Sequence, residues 1–148
     1  MNQNPLIGAW RLTSFVFKDN NGNIVFSFDK DAIGYIMYTA DGHVSVSFMT
    51  TTKRPKFVSE DEDIFGGTME EKAAAAETYI SYCGKYKIKE NKVFHNVELS
   101  LFPNEVGTVL ERFFKLEDNK LSITTVPFVW KGKEQITAYA NWIRSETR

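Results

Sequence analysis

The fold is decided by residues 81–125, which read SYCGKYKIKENKVFHNVELSLFPNEVGTVLERFFKLEDNKLSITT. Apolar and polar residues alternate there in four runs, separated by the short polar pieces Glu90-Asn91, Pro103-Asn104 and Asp118-Asn119. Alternation with a period of two is typical of β-strands, and short connections make consecutive strands pair antiparallel. We therefore predict an antiparallel meander that begins with four strands at residues 81–89, 92–101, 109–117 and 120–125 and ends with a fifth at residues 135–144.

The alternation continues on both sides of this stretch. Turn signals such as Asn21-Gly22 and Asp41-Gly42 separate the further segments, because Asn, Asp and Gly tolerate a positive φ. The additional strands are predicted at residues 8–18, 24–28, 34–39 and 44–48. With no repeat or low-complexity tract, this pattern favours an all-β protein, a closed antiparallel up-and-down barrel of eight or nine strands. A chain of 148 residues fits one such domain over residues 1–148, and a barrel of this size can hold one small ligand.

One helix is expected to interrupt the strands. Thr68-Met69-Glu70-Glu71 has the spacing of a capping box, and the alanine-rich run after it has high helix propensity, so a short helix is predicted over about residues 69–79. Residues 50–67 predict a long loop, for which a lid is one interpretation. Its basic piece, Lys53–Lys56, would either recruit an anionic ligand or simply be solvated, and an acidic piece, Glu60–Asp63, follows.

Composition excludes several classes of function. The chain has 18 basic and 19 acidic residues, so no global field favours nucleic acid or an anionic membrane as a partner. The single cysteine excludes an intramolecular disulfide, and the two histidines lie far from any second ligand at metal spacing, so neither a metal nor another cofactor is expected. Without a recognisable secretory signal or a long apolar run, we expect a soluble cytoplasmic protein, either a monomer or a homodimer.

Turn geometry predicts which side chains face the interior. A two-residue turn at Glu90-Asn91 sets Tyr86 opposite His95 and Tyr82 opposite Leu99. The Asp118-Asn119 turn in the same way sets Arg112 opposite Thr125 and Phe114 opposite Ile123. The predicted lining surface therefore contains Tyr82, Tyr86, His95, Arg112 and Phe114.

The polar members of this surface allow more than one interpretation. His95 is either a core histidine bonded to a tyrosine, a contact to a ligand, or a general base. Arg112 is expensive to bury unpaired, so it either binds a ligand carboxylate or forms a structural bridge with Glu98 or another acid. Glu98 and Ser100 point away from His95 on this register, and a structural role is predicted for Glu98.

Several motifs carry a resemblance to a known family. Leu6–Leu12 contains Gly8-Ala9-Trp10, which resembles the Gly-x-Trp opening of lipocalins and other calycins. Gly34–Gly42, Tyr79–Tyr86 and His95–Arg112 follow in the order seen in the bacterial and fungal lipocalin-like domain family, so the resemblance covers nearly the whole chain. It implies a calycin-type barrel in which Trp10 closes one end against Arg144. Asn96 and Glu105 stand where this family often has a second histidine and an aromatic residue.

Two hypotheses of function follow. The first is a binding barrel for a small, mostly apolar molecule with a polar tip, for which the candidate ligand-binding residues are Tyr35, Met37, Tyr82, Tyr86, His95, Arg112, Phe114 and Phe128. The second is a cofactor-independent cyclase or isomerase acting on a polyketide-like or terpenoid-like molecule. The candidate catalytic residues would then be His95, Arg112 and Tyr82.

Overall fold

The computed structural model describes residues 4–52, 54–58, 64–132 and 134–145. The part of the chain so described contains ten strands and one helix. In chain order they are β1 (Gly8–Lys18), β2 (Ile24–Ser27), β3 (Ile33–Tyr38), β4 (His43–Met49), α1 (Met69–Glu77), β5 (Tyr79–Lys89), β6 (Lys92–Ser100), β7 (Val109–Glu117), β8 (Lys120–Thr125), β9 (Phe128–Trp130) and β10 (Glu134–Arg144).

Eight of these strands close into an antiparallel barrel. The ring runs β1-β3-β4-β5-β6-β7-β8-β10 and is completed by pairing of β10 with β1. The short strands β2 and β9 extend the edges of β1 and β10 at the opposite end from Trp10. The predicted all-β barrel is thus confirmed. The predicted strands match to within two residues at each end, whereas β9, which has only three residues, is too short to be found from alternation.

A bulge between β5 and β6 changes one predicted pairing. Tyr86 lies opposite His95 as predicted, but Cys83 pairs with Leu99 while Gly84 pairs with Val97, so Glu98 is an extra residue on β6. A Cβ atom on Gly84 would lie 1.7 Å from the Asn96 carbonyl oxygen, so only glycine permits this close approach.

The bulge shifts the pairing of the last residues of β6 by one position along β5. Tyr82 therefore lies opposite Ser100 and not opposite Leu99. Glu98 is exposed, and among the described residues it has no ion pair with Arg112. The structural role predicted for Glu98 therefore does not include an ion pair with Arg112.

One end of the barrel is closed by Trp10, which is completely buried. Its indole Nε1 donates a hydrogen bond to the Leu6 carbonyl at 2.9 Å. The Arg144 guanidinium lies 4.0 Å from the centre of the Trp10 ring and donates to the carbonyl oxygens of Pro5 and Ile7. The pairing of Trp10 with Arg144 places a satisfied cation over an aromatic face and fixes the amino-terminal segment across this end.

Helix α1 lies outside the barrel and begins with the predicted capping box, in which Thr68 and Glu71 satisfy each other's backbone amides. Arg54 belongs to the basic piece of the preceding loop, and its guanidinium donates to the Ala75 carbonyl at 2.9 Å and to the Thr78 hydroxyl at 3.1 Å. Arg54 thus caps the carboxyl end of α1. Lys53 and the acidic piece, residues 60–63, lie outside the described residues.

Candidate functional site

A cavity of about 470 Å³ occupies the barrel between the closed end and the opposite mouth. Ala138 and Ala140, both on β10, face it, and their small side chains leave the space that larger residues would fill. Its walls are largely aromatic and aliphatic, and the other apolar lining residues are Phe15, Phe17, Ile36, Val46, Phe48, Ile80, Phe102, Val109, Leu110, Ile123, Val126, Phe128 and Trp142.

The mouth is identified by the exposure of its lining residues. Phe102 is 41% exposed, Val109 is 59% exposed and Phe128 is 36% exposed, and all three line the cavity. They lie at the end of the barrel opposite Trp10. A ligand would enter there.

The polar part of the cavity is built around His95, which is 1% exposed. Its Nδ1 atom lies 2.7 Å from the Tyr82 hydroxyl, and its Nε2 atom lies 2.8 Å from the Tyr38 hydroxyl. Both ring nitrogens therefore have a tyrosine partner. This agrees with the interpretation of His95 as a core histidine, although His95 and Tyr82 also line the cavity.

Burial moves the pKa values of His95, Tyr82 and Tyr38 further from neutral pH. Burial, with a smaller contribution from the Arg112 charge, lowers the pKa of His95 to about 3, so the imidazole is neutral at physiological pH. Burial raises the pKa of the Tyr82 hydroxyl to about 12, and the pKa of Tyr38 is raised well above its usual value for the same reason. The three side chains form an uncharged hydrogen-bonded chain, Tyr38 to His95 to Tyr82.

Arg112 is a half-buried cation on the cavity wall. It pairs with Thr125 as predicted, and its Nη1 donates to the Glu111 carbonyl at 3.3 Å. Burial raises the pKa of the Tyr82 hydroxyl, and the positive charge of the Arg112 guanidinium acts in the opposite direction with a smaller effect. No described carboxylate lies within 4.0 Å of the guanidinium nitrogens, so the structural bridge predicted as one alternative is not formed.

Glu105 also lines the cavity, close to the mouth. It lies in a 3-10 turn, Pro103–Glu105, and one of its carboxylate oxygens accepts a hydrogen bond from the Ser100 hydroxyl at 2.9 Å. Its negative charge acts on Tyr82. Glu105 stands where the lipocalin-like family that this sequence resembles often has an aromatic residue.

Four of the eight predicted ligand-binding residues line the cavity, namely Tyr82, His95, Arg112 and Phe128. Tyr35 and Met37 do not, because they lie on the outer face of β3 and are 39% and 45% exposed. Their predicted interior position is thus corrected: Gly34, Ile36 and Tyr38 are the residues of β3 that face inward.

The remaining two predicted residues are interior but do not line the cavity. Tyr86 is buried nearer the closed end, where its hydroxyl donates to the Thr39 carbonyl at 2.7 Å and accepts from the Asn4 amide at 2.6 Å. Phe114 is half-buried and packs against the core. Both are core residues rather than walls of the cavity.

Sequence reasoning did not select Tyr38, Trp142 or the two alanines on β10. Tyr38 would have followed from placing Ile36 on the inner face of β3, because residues two apart share a face. On β10, buried and less buried residues alternate, and Ala138, Ala140 and Trp142 are on the buried face. This alternation could have predicted that these three residues face the interior.

Two further properties concern only the part of the chain that the structure describes. It contains no group of three or more His, Cys, Asp or Glu side chains able to hold a metal ion. None of its helices has the length and apolar character needed to cross a membrane.

A closed barrel with one sealed end, one mouth and an internal cavity is a cup of the lipocalin type. The model of the lipocalin-like domain family matches residues 7–145, and the chain belongs to this family. The 4'-hydroxy-3'-methoxypropiophenone carrier protein of Aspergillus oryzae is 33% identical over 92 residues, which cover 56% of this chain and 82% of the relative. The crystal structure of an uncharacterised protein from Bacteroides eggerthii aligns with a TM-score of 0.46 and 12% identity, covering 93% of this chain and 98% of that one. The barrel and the relative named as a carrier support small-molecule binding in general.

Proposed function

We propose that this protein binds and carries a small, mostly apolar molecule whose polar end is held by Tyr82, His95 and Arg112. One observation carries the proposal: the cavity has aromatic and aliphatic walls on most sides, while these three polar side chains gather on the side formed by β5, β6 and β7. Apolar pockets with a few convergent polar groups are the usual form of small-molecule sites. Phe128 would contact the ligand at the mouth.

The named ligand of the Aspergillus oryzae relative supports this class of ligand. It is an aromatic ketone, apolar over most of its surface, with a small number of polar groups. The cavity volume, about 470 Å³, lies within the range of about 300–1,000 Å³ that is usual for such sites. We also place the protein in the cytoplasm, since a single, half-buried cysteine fits a reducing compartment.

Binding accounts for the polar chain better than proton-transfer catalysis. A general acid or base works best when its pKa lies near the operating pH. The pKa of His95 is lowered to about 3 by burial, and the pKa of Tyr82 is raised to about 12 by burial, so neither group is poised for proton transfer at neutral pH. The cyclase or isomerase alternative therefore has weaker support.

The proposal is tested by filling the cavity. In Ala140→Leu a larger side chain occupies the space beside the walls, so the affinity for 4-hydroxypropiophenone measured by isothermal titration calorimetry should fall at least about tenfold. Ala76→Leu on the exposed face of α1 is the matched control and should bind as the wild type does. Native mass spectrometry of the purified protein would reveal a ligand that co-purifies. The proposal fails if the wild type binds no aryl ketone, alkylphenol or fatty acid, or if Ala140→Leu binds them unchanged.

A further inference from the structure

The hydrogen-bonded side chains of Tyr38, His95 and Tyr82 hold three polar hydrogens between them. Neutral imidazole carries one N–H and one acceptor nitrogen. Two contacts, at 2.8 Å to Tyr38 and 2.7 Å to Tyr82, use two of the three polar hydrogens that these residues hold between them. One hydroxyl hydrogen is therefore left over, and the tautomer of His95 decides which tyrosine has it.

The surroundings of Tyr38 select the tautomer. Tyr38 is 2% exposed, does not line the cavity, and has His95 as the only hydrogen-bond partner of its hydroxyl among the described residues. If His95 donated from Nε2, the Tyr38 hydrogen would be buried without an acceptor, at a cost of about 1–3 kcal/mol. Tyr38 therefore donates to Nε2, and the proton of His95 lies on Nδ1 and is donated to the Tyr82 oxygen.

The remaining hydrogen then belongs to Tyr82, which lines the cavity. Its oxygen accepts from His95 Nδ1–H at 2.7 Å, and the charge of the nearby Arg112 guanidinium acts on the same hydroxyl. The Tyr82 O–H is thus a donor with no described protein acceptor. Arg112 lies beside it as a second donor without a carboxylate partner among the described residues.

This arrangement discriminates between polar groups. A ligand hydroxyl that accepts hydrogen bonds from Tyr82 and Arg112 would still have its own hydrogen to place, and neither of these two donors can accept it from that position. A carboxylate would add a third negative charge to a cavity that is lined by Glu105 and Glu111 and by one cation, Arg112. A neutral carbonyl oxygen has two lone pairs and no hydrogen, so it satisfies both donors without either cost.

Building on the proposed function, we propose that the polar end of the ligand is a neutral carbonyl oxygen that accepts hydrogen bonds from the Tyr82 hydroxyl and the Arg112 guanidinium. Tyr38 and His95 do not touch the ligand carbonyl. They are positioning residues, which fix the hydroxyl of Tyr82 as a donor before the ligand arrives.

The test uses two probes that differ only at the carbonyl, 4-hydroxypropiophenone and 4-propylphenol, with 3-phenylpropanoate as the carboxylate probe. Calorimetry should give wild-type affinity for the ketone roughly tenfold or more above that for the other two, as expected for a hydrogen bond that involves a charged group. Tyr82→Phe should reduce this preference to less than about threefold. Tyr86→Phe also removes a buried hydroxyl from β5, but away from the cavity, and it should keep the preference.

The outcomes separate this inference from the proposed function. Equal binding of the ketone and the alkylphenol by the wild type overturns the carbonyl assignment and leaves a binding barrel standing, as does a ketone preference that survives in Tyr82→Phe. Tighter binding of the carboxylate also overturns it. If the wild type binds none of these probes and no fatty acid, both proposals fail, whereas binding of a fatty acid alone overturns only the carbonyl assignment.

A measurement without ligand tests the tautomer directly. The chain has only two histidines, so the ring nitrogens of His95 can be assigned in a long-range ¹H–¹⁵N spectrum of the histidine-labelled protein, with His95→Gln as the assignment control. The expected result is a protonated Nδ1 and an unprotonated Nε2. A proton on Nε2 would give the spare hydrogen to Tyr38 and overturn the inference, whatever the ligand measurements show.

Discussion

The Nδ1 atom of His95 lies 2.7 Å from the hydroxyl of Tyr82, and this contact joins the buried core of the barrel to the wall of its cavity. His95 is 1% exposed, whereas Tyr82 meets the space that a ligand would occupy. Under the proposed function, stability and ligand binding would therefore depend on the same hydrogen bonds. Changes at this pair should affect both.

Removing the imidazole should destabilise the protein through Tyr38. In His95→Leu the Tyr38 hydroxyl is left buried without a partner, so the free energy of unfolding should fall by about 1–3 kcal/mol beyond any packing loss. Urea denaturation of the four proteins in a Tyr38→Phe and His95→Leu cycle measures this. Tyr38→Phe should destabilise the wild type but stabilise His95→Leu, because in that background it removes an orphaned hydroxyl. An identical effect in both backgrounds would contradict the assigned hydrogen bond.

The pKa of His95 predicts how stability depends on pH. Burial holds the pKa of the folded state at about 3, whereas an unfolded histidine titrates near 6.5, so the unfolded state binds an extra proton between these values. The contribution of neutral His95 to the free energy of unfolding should therefore be fully present above about pH 6.5. The free energy of unfolding should decrease below that pH, by roughly 1 kcal/mol per pH unit. Urea unfolding between pH 7 and about pH 5 avoids most carboxylate titration. His95→Gln retains His43 and should show a much smaller slope over this range; an equal slope would contradict the prediction.

Glycine at position 84 should be irreplaceable. The Cβ atom of Gly84→Ala would lie 1.7 Å from the Asn96 carbonyl oxygen, so β5 and β6 must separate at the bulge. The free energy of unfolding should fall by at least about 2 kcal/mol, toward the upper part of the range for overpacked sites. Lys85→Ala, on the exposed neighbouring residue, should change it by less than about 0.5 kcal/mol. Comparable denaturation midpoints for the two variants would show that the bulge accommodates a methyl group.

Arg54 should contribute to the stability of α1 and not to ligand recognition. Arg54→Ala removes the donors to the Ala75 carbonyl and the Thr78 hydroxyl, so the helix end should fray and stability should fall by about 1 kcal/mol. Thermal unfolding followed by circular dichroism measures the loss. Lys56→Ala, in the same basic piece, is the control and should have little effect. A loss of affinity for the anionic probe 3-phenylpropanoate in Arg54→Ala would instead support the alternative that this piece recruits an anionic ligand.

The barrel could be predicted from the sequence because its strands alternate strongly and its turns are short. The turns at Glu90-Asn91 and Asp118-Asn119 fixed the registers that bring Tyr86 opposite His95 and Arg112 opposite Thr125, as observed. The prediction was wrong beyond Gly84, where the bulge shifts the pairing by one residue. An isolated glycine within a strand is a signal for such a bulge, but it does not show on which strand the extra residue lies.

The larger error of the prediction was the choice of which face of β3 is interior. Its two faces are both apolar in part, with Tyr35 and Met37 on one and Ile36 and Tyr38 on the other, so alternation alone did not show which face is interior. The choice depends on how β3 meets its neighbours. Tyr38 was missed for this reason, and with it the second partner of His95.

The two alanines of β10 have a consequence for how this barrel could change its ligand. The volume of the cavity depends on Ala138 and Ala140, whereas its hydrogen-bonding chemistry lies on β5, β6 and β7. Substitutions at sites without shared contacts usually act additively. Under the proposed function, ligand size and ligand chemistry are therefore set by different strands. A change of one or two methyl groups on β10 would then alter the size of the carbonyl compound that fits, without altering the groups proposed to bind its oxygen.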